Sequence, residues 1–104
     1  MRYLVEWNLK PVPPEMAKTA LALVEATEAW VEEEKKAGRI IEIWTNTGEM
    51  SGIAIWEVES NDALDRKLWE CPMWPFVTYC VTPLTDFKLS AETFKNLMKQ
   101  MIKG

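Results

Sequence analysis

The sequence predicts one α+β domain with the element order β-α-β-β-α-β, followed by an additional helix. Three observations carry this reading. Short β-branched and aromatic runs alternate with helical repeats in that order, prolines and glycines sit at the junctions, and 104 residues is near the common size of a single domain. That order is the split β-α-β unit of the ferredoxin-like fold, for which the expected sheet order is 4-1-3-2 with both helices on one face.

Arg2 to Leu9 reads as the first strand, and Pro11, Pro13 and Pro14 end it because proline brings no ladder donor. Pro14 suits the first turn of a helix. Ala17, Leu21, Val24 and Val31 then recur near helical spacing within Glu15 to Ala37, and Gly38 stands where a left-handed helix terminus is needed. The charged run Glu32-Glu33-Glu34-Lys35-Lys36 is expected to be a solvated face of this helix. Arg39 to Thr47 and Ser51 to Glu59 read as two strands joined by Asn46-Thr47-Gly48-Glu49-Met50, which carries hairpin-turn residues.

Ser60 is placed to cap a second helix, with Asp62 in its first turn and Leu64 and Leu68 on one face. Pro72 and Pro75 break that helix and lead into a fourth strand, Phe76 to Thr82, which Pro83 is expected to stop. Ser90 is the expected cap of the last helix, where Phe94, Leu97, Met98, Met101 and Ile102 form an apolar stripe beside Lys95, Lys99 and Lys103. The expected organisation is a domain over 1–84 and a tail over 85–104 carrying this amphipathic helix.

Composition narrows the function. A net charge of −4 with scattered cations argues against a nucleic-acid partner, which needs a basic stripe. There is no His, and Cys71 and Cys80 form no metal-binding spacing, so no metal or cofactor is expected and both thiols read as reduced. No apolar run approaches the roughly 20 residues of a membrane span, and the N-terminus enters a strand without a signal-peptide layout, so a cytoplasmic protein with no membrane partner is expected. Six Trp in so short a chain must be covered by a core, a ligand or a partner.

Strand side chains alternate faces, so parity suggests which residues share a face. Odd positions, among them Tyr3, Val5, Trp7, Ile43, Ile53, Ile55, Val77 and Tyr79, are uniformly apolar or aromatic and are expected beneath the helices. Even positions mix Leu4, Ile40, Ala54, Trp44, Trp56 and Val58 with Glu6, Asn8, Glu42, Thr78 and Cys80. A second subunit or the tail helix is expected to cover this mixed face. Two such sheets placed face to face would enclose an aromatic cavity with a few polar groups.

On that arrangement Glu6 and Glu42 stand about 10 Å apart with Ala54 or Trp56 between them. Glu42, desolvated by Trp44 and Trp56, is the expected general base for a proton next to a carbonyl, with Glu6 the second carboxylate. Asn8, Trp44, Trp56, Thr78 and Cys80 are the expected ligand-binding residues.

The segments Val58-Glu59-Ser60-Asn61-Asp62-Ala63-Leu64, Cys71-Pro72-Met73-Trp74-Pro75-Phe76 and Val81-Thr82-Pro83-Leu84, with Gly38, Trp44 and Gly48, resemble the muconolactone Δ-isomerases. Those enzymes carry similar VESNDEL, LPLFPY and VTPL segments. The resemblance spans the chain from its first strand to Leu84 and leaves out only the tail helix. It implies a ferredoxin-like subunit that pairs as a dimeric α/β barrel, a homodimer or higher homo-oligomer, with sites at subunit boundaries. It also implies an isomerase that moves a lactone double bond by proton transfer without a cofactor. Two features depart from the family. Its charged Arg-Glu-Lys set on the first helix is Ala26, Thr27 and Glu28 here, and its histidine on the second strand is Glu42.

The expected function is therefore that of a muconolactone isomerase-like protein, a cofactor-independent isomerase or proton-transfer enzyme acting on a small lactone or other carbonyl compound. The alternative is a non-catalytic small-ligand-binding or assembly protein of the same fold.

Overall fold

The computed structural model describes residues 1–104. It contains strands β1 (Arg2–Leu9), β2 (Ile40–Thr45), β3 (Ser51–Glu57) and β4 (Val77–Leu84), and helices α1 (Ala17–Lys36), α2 (Asn61–Glu70) and α3 (Phe87–Lys103). The four strands form one antiparallel sheet in the order β2-β3-β1-β4, the expected split β-α-β arrangement. Tyr3, Val5, Ile40, Ala54, Trp56 and Val58 meet Leu64 and Leu68 of α2 in the core, and Trp30 and Val31 of α1 pack against the same cluster. Both helices thus cover one face of the sheet.

The punctuation works as expected at three junctions. Gly38 (φ 78°) and Gly48 (φ 77°) take the left-handed backbone that closes α1 and turns the β2–β3 hairpin, where a side chain would be strained. The Ser60 hydroxyl accepts from the Ala63 amide at 3.1 Å and satisfies one of the orphan donors of α2. Ser60→Ala is expected to lower stability by about 1 kcal/mol. A shifted urea midpoint with an unchanged slope would show this, and an unchanged midpoint would mean that the cap is dispensable.

Two expected boundaries fall elsewhere. β4 runs through Pro83 to Leu84, with Pro83 opposite Tyr3. As an edge strand β4 has one row of donors with no partner strand, the position where a missing N–H is tolerated. The last helix begins at Phe87, not after Ser90, because Asp86 Oδ1 accepts from the amides of Lys88 (2.9 Å) and Leu89 (3.3 Å) and caps it earlier.

The face assignment of β3 is inverted relative to parity. Tyr3 pairs with Trp56, Val5 with Ala54 and Trp7 with Gly52, so Ala54 and Trp56 lie under the helices. Ile53 and Ile55, opposite Glu6 and Leu4, lie on the helix-free face. Numerical parity does not carry from strand to strand, because the length of each connection resets the phase. A bulge between Ile40 and Glu42 also resets β2, and it lets Ile40 and Ile43 both face the helices.

One charge of the Glu32–Lys36 run is not solvated. Glu34 is 3% exposed. Its Oε1 accepts from Arg39 Nη2 and Lys67 Nζ, each at 3.2 Å, and its Oε2 accepts from Arg39 Nε. Burial alone would raise the Glu34 pKa, but the bonds from Arg39 and Lys67 outweigh it and hold the carboxyl below its ordinary range. The ion triad ties the end of α1 to the start of β2 and to α2.

Candidate active site

A cavity of about 390 Å³ lies between α1 and the helix-covered face of the sheet. β1 contributes Val5, Trp7 and Leu9, β2 contributes Ile40, Ile43 and Thr45, β3 contributes Ala54 and Trp56, and β4 contributes Val77 and Tyr79. Val24, Thr27, Glu28, Trp30, Val31 and Glu32 of α1 form the opposite wall, and Leu68, Cys71 and Met73 close one side. Fifteen of the nineteen lining residues are hydrophobic, and the volume falls in the range of small-molecule sites, roughly 300 to 1,000 Å³. The lining suits a small, largely apolar molecule.

Local sequence explains how the space is kept open. Val24, Thr27, Glu28 and Val31 recur at three- and four-residue intervals and so share one face of α1. Trp7 lies against Gly52, where a Cβ would collide with the indole and with the backbone oxygen of Trp44. Across the cavity Trp30 tilts over Trp56, with ring centroids 5.7 Å apart and planes at 45°.

The polar groups at this apolar site are few. Trp7 Nε1 and Trp30 Nε1 are buried and have no hydrogen-bond partner in the protein. An indole N–H can only donate, and neither finds an acceptor within the protein. The Thr27 hydroxyl donates to the Leu23 carbonyl at 2.8 Å. Burial pushes the Tyr79 phenol up, and its contact with Cys71 adds to the shift, so Tyr79 keeps its proton at neutral pH. The carboxylates of the lining are those of Glu28 and Glu32, one helical turn apart, and no Lys or Arg lines the cavity.

Of the residues singled out from sequence, Trp56 lines this cavity. Glu6, Asn8, Glu42, Trp44, Thr78 and Cys80 do not, and the strand register sets them together on the opposite, helix-free face. There Glu6 and Trp44 flank Ile53, while Glu42 lies opposite Ile55, so isoleucines stand where Ala54 or Trp56 had been expected. Trp56 faces away from Glu42 and does not desolvate it. Trp44 is 63% exposed.

Trp7, Trp30, Glu28 and Tyr79 were not singled out. Glu28 left a signal, since it lies seven residues after Leu21, four after Val24 and three before Val31, within their apolar stripe.

The model of the muconolactone Δ-isomerase family matches residues 1–90. The chain belongs to that family. A muconolactone Δ-isomerase of Rhodococcus opacus is 38% identical over 58 residues, which are 56% of this chain and 62% of that protein. Its counterpart in Acinetobacter baylyi is 36% identical over 50 residues, 48% of this chain and 52% of that protein. The aligned stretches therefore span less than two thirds of either relative.

The fold matches a crystal structure of muconolactone isomerase with a TM-score of 0.77 at 20% identity, over 83% of this chain and 90% of that one. It also matches 5-chloro-2-hydroxyhydroquinone dehydrochlorinase from Burkholderia phenoliruptrix, in complex with 2,5-dihydroxybenzoquinone. There the TM-score is 0.60 at 18% identity, over 85% and 97% of the two chains. The family match ends four residues into α3.

Proposed function

We propose that the protein is a cofactor-independent isomerase that moves a double bond within a small lactone or related carbonyl compound, in the cavity between α1 and the sheet. The observation that carries this is the pair of buried, unpartnered indole donors, Trp7 Nε1 and Trp30 Nε1, in an apolar chamber whose carboxylates are Glu28 and Glu32. A buried donor without a partner costs about 1 to 3 kcal/mol, and a ligand with acceptor oxygens relieves that cost. The names of the relatives supply the substrate class.

In this reading the indole N–H groups hold the carbonyl or carboxylate oxygens of the substrate. Glu28 takes a proton from the carbon at the far end of the conjugated system, the electron pair is delocalised onto the carbonyl oxygen as a dienolate, and hydrogen bonds to that oxygen stabilise the charge. Glu28 then returns the proton to the carbon next to the carbonyl, so the double bond has moved and the atom count is unchanged. The Tyr79 phenol, held protonated, is a further donor at the sheet side of the chamber.

With muconolactone as substrate, Glu28→Gln is expected to lower turnover at least about 100-fold, the usual lower bound for losing a general base. Glu42→Gln, on the opposite face, should leave it within about twofold. The reverse result would move the chemistry to the helix-free face, with Glu42 and Glu6 as its carboxylates. A wild-type protein that binds the lactone and exchanges none of its protons with deuterated solvent would instead be a binding protein.

A further inference from the structure

The cavity between α1 and the sheet has hydrogen-bond donors but no positive charge. Its four lining residues that are not hydrophobic are Thr27, Thr45, Glu28 and Glu32, so the lining carries two negative charges and no Lys or Arg to offset them. Its donors are neutral: the unpartnered indoles of Trp7 and Trp30, and the Tyr79 phenol, which keeps its proton. Cations that adjoin the lining in sequence are committed elsewhere. Arg39, next to Ile40, and Lys67, next to Leu68, are both bonded to the buried Glu34. Lys35 stands 3.9 Å from Glu32, on the exposed side of α1.

These features act differently on charged and uncharged guests. A carboxylate moved from water into an apolar chamber loses hydration that an opposite charge or several hydrogen bonds must replace. Here it would also approach Glu28 and Glu32, and like charges brought together where water is sparse repel strongly. The chain has a net charge of −4, so its longer-range field opposes an anion as well. A lactone or ester carbonyl gives up far less hydration and is matched by one neutral N–H donor.

Building on the isomerase reading of this cavity, we propose that its preferred substrate is uncharged: an unsaturated lactone whose ring substituent is an ester, alkyl or aryl group in place of a free carboxylate. The apolar majority of the lining receives that group, with the tilted pair Trp30 and Trp56 as a broad wall. The proton transfer is the one described above, because the lactone carbonyl and the migrating double bond are common to the charged and uncharged forms.

Muconolactone, an anion at neutral pH, and its methyl ester, which keeps the ring and removes the charge, provide the test. At low ionic strength kcat/KM for the ester is expected to exceed that for the free acid at least about tenfold, the effect of two like-charge approaches of modest strength. Raising the salt to about 0.5 M should narrow the ratio by screening the carboxylates. Glu32→Gln should narrow it at least about twofold, since one of the two repelling charges is gone. Quenching of tryptophan emission reports both affinities independently of turnover, because Trp7, Trp30 and Trp56 line the cavity. A free acid turned over or bound as well as the ester, or an ester preference unmoved by both salt and Glu32→Gln, would overturn the proposal. If neither compound were isomerised while the ester still bound more tightly, the isomerase reading would fall and the charge preference would stand. Binding of neither would end both.

Discussion

Gly52→Ala is expected to be among the most damaging single substitutions in the chain, lowering stability by about 3 kcal/mol or more. The added methyl would sit inside contact distance of two neighbours at once, the Trp7 ring and the Trp44 carbonyl oxygen. The ring could turn away, but the carbonyl belongs to the β2 backbone at the neighbouring residue pair and can move only if the hairpin ladder opens. Relief at either neighbour disturbs the site, since turning the ring moves Trp7 into the cavity it lines. A urea midpoint for the variant and a tryptophan emission shift on folding would measure the two effects. An alanine variant as stable as the parent would show that the strands accommodate the methyl and that Trp7 is not fixed by Gly52.

Glu34→Gln comes next, with an expected loss of about 3 kcal/mol at neutral pH. Removing one member of a buried ion group leaves its partners without compensation, and the figure is placed at the low end because Arg39 and Lys67 keep 38% and 25% of their side-chain surface exposed. The pH dependence has a definite sign. The folded-state pKa of Glu34 is depressed, so its contribution is fully present above the unfolded value, about 4.3, and is lost as pH falls through the lower folded value. Thermal midpoints of parent and variant should therefore converge on acidification below about pH 4 and stay apart at neutral pH. A difference that persists at low pH would assign the loss to packing.

The sheet order, the start of α2, the end of α1 and the family were legible because each rests on local signals: glycines at turns, Ser60 before a helix, and three separated motifs at family spacing. The face that each residue of β3 takes was not, and with it which residues share the α1–sheet cavity. That phase is set by strand pairing, which one strand's own sequence does not record. Ile53, Ala54, Ile55 and Trp56 are apolar on both faces, so alternation gave no polar side to align on. Glu34 was misread for a related reason, because a carboxylate in a charged run looks solvated until its distant partner Lys67 is placed beside it.

Both rims of the sheet are spoiled for strand addition. β4 carries Pro83, which removes a donor from its ladder, and β2 carries the irregularity between Ile40 and Glu42, which twists that border out of line. Growth of the sheet into a continuous ribbon of many chains is therefore disfavoured on either side. A polypeptide that leaves Phe94, Leu97, Met101 and Ile102 of α3 more than half exposed can self-associate without acquiring a template for fibril growth.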